Sequence, residues 1–241
     1  VDFTQDDLFD AIDRAVREAL DQARVTELPV DAVALAQDQF GLRVEYVEEE
    51  DEPREYGAPP KRRFGRDTIV LKSEQSEEAH QVLAARGVAM RLLPRVFDIL
   101  GFVPGAENRA AEKQLIGLIV PRLLLPTRWF AREARQAGFD LFALKEKFPT
   151  HGHDLMAWRF LDIDDEASVV TVVDDGNVVA RRGNRFAVTK KLTDAEQACL
   201  EAVIGTDEPA RVRRDDWTAW GWPTKGIPFR RIILRAVPDG I

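Results

Sequence analysis

The sequence predicts an α+β protein: a mostly helical domain with a small sheet, followed by a small β-rich C-terminal unit. Three observations carry this reading. Apolar residues recur at helical spacing through most of the chain up to Asp162. Two short segments, Leu42–Val47 and Asp67–Lys72, interrupt the helices with the alternation of strands. Beyond Asp162 the character changes, and Asp174-Asp175-Gly176-Asn177 sits between two β-branched runs. That is a strong hairpin signal, because Gly supplies the positive φ such turns require. A boundary is therefore expected after Asp162, dividing the chain into 1–162 and 163–241.

Each element has a local justification. The first helix spans Thr4 to Arg24, with Leu8, Ile12, Ala15, Val16, Ala19 and Leu20 on one stripe. Asp31 caps a second, which turns Val33, Leu35, Ala36 and Phe40 inward and stops at Gly41. Between the two strands, Glu48–Arg66 is rich in charge, Pro and Gly and reads as a long loop. Its basic residues Lys61, Arg62, Arg63 and Arg66 either touch nucleic acid or offset the acidic run beside them, the commoner fate of such a cluster. Ser76 caps the next helix, with Glu77 and Glu78 in the first turn where the helix dipole favours them. Ala79, Val82, Leu83, Ala85, Ala89, Met90 and Leu93 give it a buried face, and Pro94 breaks or kinks it. A connection over Gly101–Gly105 leads to a helix starting near Asn108. Past the hairpin, Thr193-Asp194-Ala195-Glu196 is a capping box opening a helix to Val203, and Arg230–Val237 reads as a strand.

Composition narrows the function. The net charge of −8 argues against coating DNA or an anionic membrane by charge alone. The single cysteine, Cys199, permits no intrachain disulfide and falls in the apolar pattern of its helix, as a buried structural thiol would. No signal peptide opens the sequence, and a cytoplasmic location is expected. No P-loop, dinucleotide fingerprint or GxSxG elbow occurs.

The most informative stretch is Leu115–Asp162. Its apolar run, Leu115–Leu125, is shorter than the roughly 18–20 residues that cross a bilayer, so it is expected as a buried core helix. Thr127 can cap the next helix, which turns Trp129, Phe130, Ala134 and Ala137 inward and ends at Gly138. Asp140 starts another over Leu141–Phe148, and a last one begins near His153 and carries Met156, Trp158 and Phe160. The order LLLP, then WF, then a DL..LK..F helix, then HGHDLMAWRFLD resembles the ImmA/IrrE family of bacterial zinc metallopeptidases. The resemblance implies a zincin-like metallopeptidase domain in which this block closes one side of the cleft. It also implies regulation of transcription or of a stress response, with helix-turn-helix repressors as protein partners that the peptidase cleaves.

The family's zinc motif is HExxH or HExxE on the helix just upstream. Two ligands at i and i+4 face one way, and the intervening Glu polarises the metal-bound water. By the spacing to LLLP, those positions fall here at Arg86-Gly87-Val88-Ala89-Met90. Arg86 has no lone pair to give, Gly87 has no carboxylate, and Met90 is a soft thioether poorly suited to catalytic zinc. Where the family places its acidic ligand the chain has Gln114, Leu115, Ile116 and Gly117, while Glu107 and Glu112 come too early. Ligands and base are absent together, so a catalytically degenerate protein, a pseudoenzyme without catalytic residues or cofactor, is expected.

The alternative is a zinc-dependent endopeptidase with a rearranged site drawn from the three histidines, His80, His151 and His153. Glu77 and His80 form one ExxH pair, where a di-iron bundle needs two and further glutamates. His151, His153 and Asp154 stand at a helix start, where a resembling His-acid pair lines the family's cleft; ordinary capping explains them equally well. A further alternative, a nucleic-acid-binding regulator, would stack bases on Trp217, Trp220 and Trp222 among Arg211, Arg213, Arg214, Arg230 and Arg231. Tryptophans in a small β-rich unit are more often core. Neither the oligomeric state nor the partner is written in the sequence.

Overall fold

The computed structural model of the chain describes residues 4–48, 67–102, 109–224 and 229–240. The basic cluster Lys61, Arg62, Arg63 and Arg66, together with Glu107, Asn108 and the glycine connection from 103 on, lies outside the described residues. The chain forms two compact units, Val1–Trp129 and Phe130–Ile241.

In the first unit, α1 (Gln5–Gln22) begins at a reciprocal box: Thr4 Oγ1 accepts from Asp7 N and the Asp7 carboxylate accepts from Thr4 N. α2 (Ala32–Asp38) is capped by Asp31, which takes Val33 N and Ala34 N at 3.0 Å. The buried Gln81 side chain locks this cap to the next helix, accepting from Ala32 N at 2.6 Å and donating to Asp31 Oδ1 at 3.1 Å. β1 (Arg43–Val47) and β2 (Thr68–Lys72) pair in parallel, Arg43 opposite Thr68 and Val47 opposite Lys72. The hub is α3 (Glu77–Leu100), which packs on α1, α2, β2 and α4 (Arg109–Leu124).

Two expectations are corrected here. α3 is not broken at Pro94 but continues to a left-handed Gly101. Burial of Leu92, Leu93, Val96 and Phe97 on either side of the proline outweighs the one lost hydrogen bond. And Thr127 is not a cap but the first residue of α5 (Thr127–Gln136); its hydroxyl donates to Asp13 Oδ2 at 2.8 Å. The apolar run ahead of it is the expected core helix, with Ile119, Leu123, Leu124 and Leu125 fully buried.

In the second unit, Phe130 of α5 stacks on Phe160 and meets Phe148 edge-on. These rings come from α5, the end of α6 (Leu141–Lys147) and α7 (His153–Ile163). The sheet is antiparallel, in the order β4 (Asn177–Gly183), β3 (Val169–Asp174), β7 (Arg231–Pro238), β6 (Trp217–Thr224), β5 (Ala210–Arg214). α8 (Asp194–Thr206) covers one face through Ala195, Cys199, Leu200 and Val203, packed on Val173, Ala219, Ile232 and Leu234. Alternate residues of β7 turn to the other face, where α7 packs on β3 and β7. The α+β reading holds, with its β-rich part at the C-terminus. β5 and β6 went unread as strands because β6, WTAWGWPT, is buried almost throughout and shows no polar alternation.

Among the described residues no helix is long and apolar enough to cross a membrane.

Candidate functional site

The site is built on α3. Ser76 Oγ accepts from Ala79 N, and Glu77 and Glu78 complete a favourable first turn, as the sequence requires. His80 lies in that turn. Its Nε2 is 2.8 Å from the carbonyl oxygen of Lys72, and its ring stands edge-on to Tyr46. The histidine therefore ties the helix start to the end of β2, and Glu77 beside it is exposed.

The three motif positions separate by face. Arg86 and Met90, one turn apart, are both exposed, Met90 to 52%. Gly87 is buried against the small sheet. A Cβ built there would lie 2.6 Å from Ile69 Cδ1, 3.0 Å from Ile69 Cγ1 and 3.3 Å from Leu42 Cδ1. The Ile69 side chain thus fills the volume that any side chain at Gly87 would enter. Nor do these groups fit a zinc ion: a guanidinium, a glycine and a thioether supply no hard or imidazole donor. Among the described residues, no group of three or more His, Cys, Asp or Glu is placed to hold a metal. Gln114 and Gly117 of α4 are exposed, while Leu115 and Ile116 are half-buried.

Beyond the motif, α3 and α4 frame an open groove of about 450 Å³, lined by Met90, Leu93, Pro94, Phe97, Phe102 and Ile116, with Asp98 and Glu112 at its polar edge. Reading Pro94 as the end of the helix concealed its far half. The signal was available: Leu93, Val96, Phe97 and Leu100 continue the helical spacing to Gly101.

The residues read as a cleft wall belong to the second unit and are held by packing. His151 is 1% exposed, its ring against Phe148 and its Nδ1 3.0 Å from Thr150 Oγ1. His153, the first residue of α7, meets the Phe142 ring. Asp154 pairs with Arg231, whose guanidinium also binds Asp174 through Nε at 2.7 Å and Nη2 at 2.8 Å. Arg231 holds the Asp174 carboxyl below the usual carboxylate range, and its own proton is bound more firmly in return. The Asp154–Arg231–Asp174 chain pins the start of α7 to β7, a role that the family resemblance did not suggest.

The tryptophans are likewise engaged. Trp222 is buried, Trp217 packs on the α8 core, and the Trp220 ring faces the guanidinium groups of Arg211 and Arg235. Cys199 is buried as expected; burial and the nearby Glu196 push its thiol up to about 12.

No protein-family model matches the chain, and no curated protein matches it in sequence. Among solved structures it is similar to one described as a Mycobacterium tuberculosis transcriptional regulator. The TM-score is 0.67, at 17% identity, over 95% of this chain and 75% of that one. What the two share is a fold.

Proposed function

We propose that this chain is a non-catalytic relative of the ImmA/IrrE metallopeptidases: a cytoplasmic regulatory protein that holds a protein partner, such as a helix-turn-helix repressor, without cleaving it. The observation that carries the reading is Ile69 seated on Gly87, in the space where the family's general base would stand. A carboxylate restored at that position would have to displace the strand side chain. Arg86 and Met90 are exposed at the two ligand positions, and neither can replace a histidine. A regulator is also what the name of the structural neighbour describes, and its fold extends over nearly the whole of this chain.

Neither alternative draws an observation to itself. A rearranged hydrolase would need His80 and His151, and both have ring nitrogens within hydrogen-bonding distance of Lys72 and Thr150. Nucleic-acid stacking would need free tryptophan faces in the tail, and those rings are packed or covered by arginine.

Elemental analysis of the chain purified without added metal tests the proposal, together with incubation with a helix-turn-helix repressor. The expected outcome is zinc far below stoichiometry and an intact repressor. A tightly held zinc in every chain, with cleavage of the repressor, would overturn it.

A further inference from the structure

We infer that the groove between α3 and α4 is a docking site for a short amphipathic helix of a partner protein, one that presents an apolar side chain flanked by lysine or arginine. This deepens the partner-binding reading and rests on it only for the kind of protein that supplies the helix.

The floor is apolar. Leu93 and Phe97 are nearly buried, while Met90 forms a lip that is half exposed. A flexible thioether at such a lip adapts to the shape of what it receives. The volume of about 450 Å³ falls within the range of built ligand sites and suits one or two large aliphatic side chains.

Among the described residues, the charged side chains that line the groove are acceptors. Asp98 and Glu112 contribute carboxylates. Pro94 has no N–H to give to the Met90 carbonyl, four residues earlier, so that oxygen lacks its usual helical donor. Of the cations on α3, Arg91 pairs with Asp67 and Arg95 with Glu18, while Arg86, exposed one turn before Met90, does not line the groove. Among the described residues, neither Asp98 nor Glu112 forms a salt bridge. An apolar slot edged by two carboxylates is complementary to an apolar residue with cationic donors beside it, and charge steers such a partner to the site. No strand edge lines the groove, so recognition must come through side chains, as when a helix lays its i, i+3 and i+4 positions into a groove.

The test is fluorescence anisotropy with two labelled synthetic helices, one of leucine and lysine and its twin with glutamate for every lysine. The wild-type chain is expected to bind the lysine helix at least about tenfold more tightly than the glutamate helix, about 1.4 kcal/mol. Met90→Asp adds negative charge at the lip. If attraction by net charge alone were responsible, it would strengthen binding of the lysine helix; the groove demands that it weaken binding about tenfold or more. Asp98→Lys combined with Glu112→Lys is expected to reverse the preference between the two helices. These are surface positions, and circular dichroism verifies that each variant keeps its helices. Equal binding by wild type and Met90→Asp would overturn the inference. So would sedimentation showing a dimer that Met90→Asp dissociates, which would make a second copy the occupant. A zinc-loaded, cleaving chain would sink the proposed function while leaving the peptide preferences standing, so the two failures are distinguishable.

Discussion

Two helix-on-sheet junctions, α3 on β2 and α8 on β6, use the same device and then diverge. Each places a glycine where a neighbour must come close. At Gly87 the intruder is the tip of Ile69; at Gly221 a Cβ would meet Leu234 Cδ2 and Val203 Cγ2 at 2.9 Å and Cys199 Sγ at 3.0 Å. The difference lies in charge. Beside the α8 junction Glu196 is fully buried and accepts from Thr171 Oγ1, Thr193 N and both Arg181 Nε and Nη2. On the opposite face, Arg235 and Asp164 pair at 2.6 Å with both side chains buried. The ion pairs of α3 lie at the surface, to Glu18 and Asp67. Shape, with a peripheral histidine hydrogen bond and a surface ion pair, closes the first junction, whereas buried hydrogen-bonded charge and shape together fix the second.

The sharpest way to break that contrast is Glu196→Ala. It removes the reciprocal half of the α8 capping box, leaving the Thr193 cap, and takes the carboxylate from the buried Arg181 guanidinium, so a loss of about 3–5 kcal/mol is expected in urea unfolding. A loss under about 1 kcal/mol would mean that the buried pair does not specify this junction.

The two glycines give the next largest effect. Gly221→Ala is expected to cost about 1–3 kcal/mol, because three packed groups from β7 and α8 must move. Gly87→Ala should stay within about 1 kcal/mol of wild type, since alanine's helix propensity offsets the clash with a flexible tip. In an Ile69→Val background, which removes Cδ1, the same change should become stabilising; a double-mutant cycle reads the coupling directly. Strictly additive costs would show that Ile69 does not guard the position.

The smallest effect belongs to the surface pair of α1 and α3. Arg95 holds the Glu18 carboxyl down to about 2, from an ordinary 4.5, mainly by hydrogen bonding. Because the folded-state value is depressed, the contribution is complete above pH 4.5 and fades as pH falls toward about 2. Both groups face solvent, so Glu18→Gln should flatten the acid limb only slightly, and added salt should erase the difference. A large change that survives salt would place real electrostatic weight in the first unit.

Much of this was legible in the residues. The Asp31, Ser76 and Thr193 caps, the Asp175-Gly176 turn and the buried Leu123-Leu124-Leu125 run follow from local chemistry. That Arg86, Gly87 and Met90 are poor zinc ligands was also visible, since it depends on residue type alone. Why Gly87 stands there was not, because Ile69 is eighteen positions away and meets it only through packing. The groove was hidden by a local rule, proline as helix breaker, which burial on both sides overrode. His151, His153 and Asp154 were read from the family resemblance as cleft residues, or equally as ordinary capping; the contacts of His151 with Phe148 and of Asp154 with Arg231 depend on packing.

Taken by itself, the sequence determined where helices begin, which faces turn inward, and that Arg86, Gly87 and Met90 are not residue types that hold catalytic zinc. Those properties depend on neighbours within a turn or two, where capping, spacing and side-chain chemistry act directly. Only the tertiary structure decided that a strand isoleucine lies against Gly87, that buried charges fix the C-terminal sheet, and that α3 and α4 leave an acidic-edged groove. Each is a meeting of residues far apart in the chain, and close packing, which no local pattern encodes, selects the partner.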